Sequence, residues 1–434
     1  MFQGGIKLVD VKELSAGEAI ENLPYPEKVV IPLSQHTGIP SNPIVKKGDV
    51  VLKGQLIGES EGFISSAVHS SISGTVIGIE RCPLPGGRTG MAVVIESDGK
   101  DTPAEFIKRS WRQLKAEEII SIVRDAGIVG MGGAAFPSAV KLTVPQGKQA
   151  ECVILNGCEC EPFLTADYRI MKEDTDKMIE GFLIICRALE VNKGYIGIES
   201  NKRDLIPLLK ESVNKLVSDI SIDIRVLPEK YPQGGEKQLI KSVLNKEVPS
   251  GLLPIDVGCV VFNVQTALAV KDAVCEGVPL IERVLTVTGL VKNSKNLRVR
   301  IGTPISKVLE YCEVEIRDGM KVVLGGPMMG IQIHSLDIPV LKGTSGILLL
   351  PGETLPENIQ PCIRCGKCVN ACPMGLIPAD VSKYAENQLW DKCVEFNVAD
   401  CIECGCCSYI CPAKRPMVDL FKWAKAQIRK AEQK

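Results

Sequence analysis

The sequence predicts a multidomain α/β protein, and three observations carry that prediction. Between residues 115 and 279, short apolar runs alternate with stretches of helical periodicity, the pattern of a parallel sheet covered by helices. Before it, residues 27–97 hold short β-rich runs punctuated by Gly and Pro. After it, eight cysteines fall into two copies of C-x2-C-x2-C-x3-C-P. The 434 residues have room for about three domains at ~150 residues each. The shifts of pattern divide the chain at 1–110, 111–279, 280–350 and 351–434.

Composition narrows the function classes. The formal net charge is -1, so bulk electrostatics give no case for nucleic acid. The first residues, Met1-Phe-Gln-Gly-Gly-Ile-Lys7, lack a charged region followed by an apolar one, which argues against secretion. The longest uncharged runs, 126–140 and 257–270, fall short of the ~18 residues that span a bilayer, so any membrane association is expected to be peripheral. Of the 18 cysteines, ten are not among the eight motif positions, Cys406 being the one inside a run, and most lie in apolar sequence. Without an export signal they read as buried, reduced thiols.

Residues 1–25 read as an irregular lead-in. Lys28-Val-Val-Ile31-Pro32 is a short strand, and further strand runs follow at 44–55, 68–79 and 91–95. Short strands at turn spacing suggest a small barrel or sandwich. The pattern resembles lipoyl and biotinyl carrier domains. Their modifiable Lys sits at a hairpin tip, where this chain places Val68-His69-Ser70-Ser71, so a swinging arm is not expected. His36 and His69 read as hydrogen-bonded structural residues before they read as ligands.

Helical spacing at Ile119, Ile120, Val123 and Ala126 predicts a helix over 116–126, with Gly127 at its C-terminal cap. Strands are expected at 152–155, 195–198, 222–226 and 258–262, and helices at 175–189, 203–217, 235–244 and 266–275. Residues 280–350 shift to a small α+β unit with strands at 284–289, 297–301 and 321–324 and a helix at 304–311. A linker is expected at 351–359. The cysteine-rich end carries a helix at 379–396 and a basic tail helix at 419–434, with Leu420, Trp423, Ala424 and Ile428 on one side. That helix reads either as packed on its own domain or as a partner or membrane contact.

The two cysteine runs are Cys362-Ile-Arg-Cys365-Gly-Lys-Cys368-Val-Asn-Ala-Cys372-Pro373 and Cys401-Ile-Glu-Cys404-Gly-Cys-Cys407-Ser-Tyr-Ile-Cys411-Pro412. A single C-x2-C pair is compatible with zinc. Two full copies, each ending in Cys-Pro, indicate two [4Fe–4S] clusters, with the fourth Cys of each run ligating the other cluster. That pattern gives Cys362, Cys365, Cys368 and Cys411 for one cluster, and Cys401, Cys404, Cys407 and Cys372 for the other. Cys406 leaves five cysteines in the second run, and Cys407 is assigned because it keeps both spacings intact. Electrons therefore move here.

Two further stretches carry chemistry. Gly130-Met-Gly132-Gly133-Ala-Ala-Phe136-Pro-Ser-Ala-Val-Lys141 is neither G-x-G-x-x-G after a strand nor a phosphate-binding P-loop. It reads as a tight turn, or as backbone exposed to an anion, with Gly132 and Gly133 admitting a flat ring and Lys141 neutralising phosphate. Asn156-Gly-Cys158-Glu159-Cys160-Glu161-Pro162 leaves a strand end, where α/β folds place ligands. In extended geometry Glu159 and Glu161 point to one side, facing either solvent or a ligand with donors.

These stretches resemble the flavin loop and the Asn-x-x-Glu-x-Glu-Pro run of the NADH-oxidising flavoprotein subunit of respiratory complex I. Tyr231-Pro-Gln-Gly234-Gly235-Glu236 and Asn263-Val-Gln-Thr266 are similar to its later flavin and NADH contacts. The resemblance implies FMN held by Gly130, Gly132, Gly133, Lys141, Asn156, Glu159, Tyr231, Gly234, Asn263 and Thr266. It implies NAD(H) stacked on the flavin, with Phe136, Glu161 and Glu236 as catalytic candidates. It also implies a β-grasp (SLBB-like) unit at 280–350.

Two ferredoxin motifs and the lipoyl-like barrel depart from that subunit. Together with Gln35-His36-Thr-Gly38 and His69-Ser-Ser-Ile-Ser-Gly74, they make the chain resemble the C subunit of the Rnf electron-transport complex. The fold expected is a lipoyl-like barrel-sandwich, a complex I flavoprotein-like α/β flavin domain, a β-grasp unit and a helical two-cluster ferredoxin domain. Cys158 and Cys406 stand where the family is expected to have small residues. The function implied is electron transfer between ferredoxin-derived clusters, FMN and NAD⁺, with Na⁺ or H⁺ translocation by partner subunits. Those partners are a ferredoxin-like B subunit and integral membrane subunits, and the location is the cytoplasmic face of the cell membrane. The alternatives are a soluble relative feeding a partner reductase, such as a proline reductase, and a cluster scaffold that has lost its flavin.

Overall fold

The computed structural model describes residues 1–216, 219–352 and 359–432. Among them the strands form four sheets. Two small antiparallel sheets build the N-terminal sandwich. One runs Lys28–Pro32, Arg88–Ser97, Gly74–Leu84, Val50–Val51; the other runs Asn42–Pro43, Leu56–Glu59, Val68–His69. Alternation puts Val29 and Ile31 inward, where they pack on Val51, Ile57, Val76, Val93 and Ile95. Residues 68–71 are not an exposed tip. They are buried, and the Ser71 hydroxyl donates to Ile301 O at 2.6 Å.

The middle domain is a parallel sheet in the order Ser221–Leu227, Lys193–Glu199, Cys152–Gly157, Cys259–Asn263. Its two central strands are buried on both faces, which is why they read as continuous apolar runs. In chain order the strands lie 3-2-1-4. The order therefore reverses beside Cys152–Gly157, where doubly wound sheets open a ligand crevice. Helices Ala116–Asp125, Thr175–Ala188 and Val264–Lys271 pack around Phe182, Ile184, Leu155 and Ile196. Gly127 caps the first of them with φ 65. The helix expected at 266–275 begins at Val264 and passes into a π-turn at Asp272–Glu276.

The third unit is a six-stranded mixed sheet with one helix, Ile305–Tyr311, over a core of Leu285, Val287, Leu297, Val299 and Val308. Its outer strand comes from the far end of the chain. Ile20–Asn22 pairs in parallel with Lys295–Arg300, so residues 1–25 are not a loose lead-in. Strands Ile331–Ile333 and Gly346–Pro351 add to those expected from the sequence.

The C-terminal unit is built from short helices. The helix expected at 379–396 is two, Pro378–Glu386 and Trp390–Glu395, broken where Gln388 turns left-handed at φ 56. The tail helix, Met417–Glu432, packs on its own domain through Met417, Phe421 and Ala424, and Trp423 meets Trp390 edge-on at 5.0 Å. Residues 353–358, most of the expected linker, residue 217 at the end of one expected helix and residues 433–434 at the end of the expected tail helix lie outside the described residues. No helix among the described residues is long and apolar enough to cross a membrane.

Candidate functional site

The crevice at the strand-order reversal is built from two neighbouring strand ends. Asn156 lies at the end of Cys152–Gly157 and Asn263 closes Cys259–Asn263, and the two are register partners. Asn156 Nδ2 donates to Gly234 O at 2.8 Å, and its Oδ1 accepts from Cys158 N at 3.1 Å. Asn263 caps the helix Val264–Lys271 by accepting from Gln265 N, and donates to Asp167 Oδ2 at 2.6 Å. Gly234 leaves no spare room: a Cβ there would stand 3.2 Å from Cys160 Sγ.

The glycine loop lies beside these asparagines. Its base is pinched by Gly130 N donating to Phe136 O at 2.8 Å and by a bridge between Val129 and Pro137. Met131 N donates to the buried Thr266 hydroxyl at 2.9 Å, which fixes the loop to the first turn of the asparagine-capped helix. Gly132, Gly133 and Ala134 are exposed, and Gly133 has φ 118, a conformation closed to residues with a Cβ. A Cβ on Gly132 would face Asn263 at 3.5 Å. The N-terminal sandwich supports the loop from outside through Thr37, which donates to Ala135 O and Ala134 O. Phe136 is half-buried at the end of the loop. Lys141 Nζ bonds Glu236 Oε1 at 2.6 Å and Val261 O at 2.9 Å, so two predicted site residues are partners of each other.

Glu159 and Glu161 diverge, against the expectation of one shared side. The strand ends at Gly157, so alternation does not reach them. Glu159 accepts from Asp167 N and Tyr168 N, capping the helix Ala166–Glu173, and burial pushes its carboxyl up to about 7. Glu161 turns toward the unit of the six-stranded sheet, accepting from Met328 N at 3.0 Å and Met329 N at 2.9 Å. Burial raises its pKa against the pull of these donors. The Tyr231 hydroxyl lies 3.2 Å from Glu161 Oε1 and 2.8 Å from the carbonyl oxygen of Cys404. It thereby joins the crevice to the cysteine loops.

In those loops Cys372, Cys401, Cys404 and Cys407 line one cavity together with Pro373 and Phe421. Cys368 lies beside Cys411 in the domain core, while Cys362 and Cys365 are exposed. The two runs repeat their geometry. Arg364 and Glu403 are left-handed, and their N–H groups donate to Cys362 Sγ and Cys401 Sγ at 3.4 and 3.3 Å. Gly366 and Gly405 then start the short helices that carry Cys368 and Cys407. Loops of backbone N–H wrapped on cysteine sulfur suit an iron–sulfur cluster. Among the described residues, no three His, Cys, Asp or Glu side chains converge on a single-ion site. Cys406 borders the same cavity, but its thiol points at Tyr231 O, 3.9 Å away.

Sequence reasoning missed three contributors. Asp167 holds both Asn263 and Gln265. Buried Lys12 donates to Glu161 O at 3.0 Å and Leu164 O at 2.5 Å. The run Gly325-Gly326-Pro327-Met328-Met329-Gly330 supplies the donors to Glu161, and Met328 O would stand 3.2 Å from a Cβ on Gly405. Only the last left a trace, as a Gly-rich run between strands.

Comparison with known proteins matches this geometry. The RnfC barrel sandwich hybrid domain covers residues 1–100, the Nuo51 FMN-binding domain residues 123–272 and the 4Fe-4S dicluster domain residues 361–414. The crevice thus lies within an FMN-binding domain, and the cysteine loops belong to a dicluster domain. Solved chains of an NAD+-reducing [NiFe]-hydrogenase share the fold: one in the H2-reduced state is 16% identical with a TM-score of 0.52, covering 74% of this chain and 61% of that one. The C subunit of the proton-translocating ferredoxin:NAD(+) oxidoreductase complex of Clostridium ljungdahlii is 46% identical to this chain over 398 residues, covering 91% of this chain and 86% of the relative. The C subunit of the Na(+)-translocating complex of Acetobacterium woodii is 46% identical over 403 residues, covering 91% and 90%. Its counterpart in the ion-translocating oxidoreductase complex of Rhodobacter capsulatus is 42% identical over 386 residues, covering 88% and 74%. With identity of this level along nine-tenths of its length, the chain belongs to the family of C subunits of ion-translocating ferredoxin:NAD(+) oxidoreductase complexes.

Proposed function

We propose that this chain is the NAD(H)-facing electron-transfer subunit of a membrane-bound complex, a translocase that moves electrons between ferredoxin and NAD⁺. In this reading it sits peripherally on the cytoplasmic face of the membrane. A ferredoxin-like subunit and integral membrane subunits are its partners, and they carry the Na⁺ or H⁺. The observation that supports this most is the Tyr231 hydroxyl, placed between Glu161 at the crevice and the Cys404 carbonyl of a cysteine loop. A flavin site and a cluster site this close form a relay. Family membership favours this reading over a soluble chain feeding a partner reductase.

The roles of the chain's own residues follow. A flavin bound in the crevice would exchange an electron pair with nicotinamide and single electrons with the clusters. Gly130, Gly132 and Gly133 keep the loop thin enough for a flat ring to approach the backbone. Asn156, Gly234, Asn263 and Thr266 hold the crevice walls in register, and Glu159 fixes the neighbouring helix. Lys141, already paired to Glu236, supplies the positive charge facing a phosphate. Phe136 borders the nicotinamide side. Cys401, Cys404, Cys407 and Cys372 would hold the cluster nearer the crevice, and Cys362, Cys365, Cys368 and Cys411 the more exposed one.

The test is optical. Purified chain reconstituted with FMN and iron–sulfide should show flavin absorbance that NADH bleaches, followed by cluster reduction. Protein that takes up clusters but neither FMN nor NADH would refute the reading.

A further inference from the structure

Residues 2–12 run between the crevice and the cysteine loops. Gly5 N donates to Ala371 O at 2.9 Å, one residue before Cys372. Ile6 and Tyr231 exchange both backbone hydrogen bonds, at 2.9 and 2.8 Å. Gly4 has φ 68 and sits so tightly on the Cys372 carbonyl that a Cβ would come within 2.2 Å of its oxygen. Gly5, at φ 75, would place a Cβ 2.7 Å from Tyr231 O. Phe2 is buried, with Lys230 Nζ 4.5 Å above its ring and 3.2 Å from its carbonyl oxygen. The segment then continues along the crevice wall. Asp10 O accepts from Phe163 N at 2.7 Å, and Lys12 reaches the carbonyls at 161 and 164.

We propose that residues 2–6 form a strap that positions the cluster loop of Cys372 against the Tyr231 turn, and so sets the rate of electron passage between flavin and cluster. The proposal rests on the functional reading above. Electron transfer falls steeply with distance between centres, so a strap that fixes this gap governs the rate without touching either centre. The two glycines are there because both contacts are backbone on backbone, and any side chain would push the loop away. Phe2 under the Lys230 ammonium anchors the start of the strap.

The experiment uses the full chain loaded with FMN and both clusters and mixed rapidly with NADH, following flavin bleaching optically and cluster reduction by rapid-freeze electron paramagnetic resonance. Gly4→Val should leave flavin bleaching unchanged and slow cluster reduction about tenfold, the equivalent of ~1.4 kcal/mol in barrier. Lys230→Met, which leaves the backbone contacts in place, should slow it in the same sense, and Lys230→Arg should restore it. If Gly4→Val loses iron, the Lys230 pair carries the test. A parent protein that works, with cluster reduction as fast in the variants, overturns the strap alone. A parent whose flavin NADH does not bleach overturns the functional reading and the strap with it.

Discussion

At the residue scale, Lys342 is a fully buried charge held by its hydrogen bonds. Its ammonium is buried where three domains meet and donates to Ala67 O and Gly127 O at 2.7 Å, with the Ser66 hydroxyl at 3.4 Å. Burial lowers its pKa to about 7. Above that value the folded protein releases the Lys342 proton, while the unfolded chain keeps it up to 10.5, so the unfolded state binds more protons and stability rises with pH across that window. Lys342→Met should cost roughly 1 to 3 kcal/mol for each carbonyl left unpaired. The stability gap between parent and variant should also widen between about pH 7 and 9. Thermal unfolding across that range checks it, and parallel pH profiles would refute the linkage. The histidines behave differently. Burial takes His36 down to about 4 and His69 to about 3, which leaves both neutral at pH 7.

At the scale of elements, the glycine loop separates two residues that look alike in the sequence. Gly133, at φ 118, has open space around it but a backbone that L residues avoid, whereas a Cβ on Gly132 would make an ordinary contact with Asn263. Gly133→Ala should weaken FMN binding by roughly 1 to 3 kcal/mol, about 5- to 150-fold in dissociation constant. Gly132→Ala should keep the fold and change melting little. Fluorescence titration of the flavin checks the first and calorimetry the second; equal FMN affinities for Gly133→Ala and parent would remove the conformational argument. The contrast shows what was legible. Local pattern was enough for the strands of the parallel sheet, for its longer helices and for the cysteine runs, because apolar runs and turn residues are local signals, but the helices Ser138–Leu142 and Ala166–Glu173 were not read. Partners far apart in sequence were not readable. Ile20–Asn22 is a strand only because Lys295–Arg300 is there to receive it. Alternation would pair Glu159 with Glu161, but it stops at Gly157. The backbone donors to Glu161 come from 167 and 168 residues away.

At the scale of the molecule, the domains are not beads on a string. The sandwich holds the glycine loop through Thr37, Lys342 ties sandwich, flavin domain and six-stranded sheet together, and the strap joins the flavin domain to the cysteine loops. The loaded protein should therefore unfold in calorimetry as one transition spanning the sandwich and the flavin domain. An early, separate sandwich transition that leaves FMN bound would contradict this.

The strap also sets a timetable. Gly5 is synthesised long before its acceptor at Ala371, with the sandwich, the flavin domain and the six-stranded sheet in between. At about 5 to 20 residues per second of synthesis, the strap waits roughly 20 to 70 s before its partner exists. The contact that joins the two redox regions thus forms late in biogenesis, once three domains have already left the ribosome.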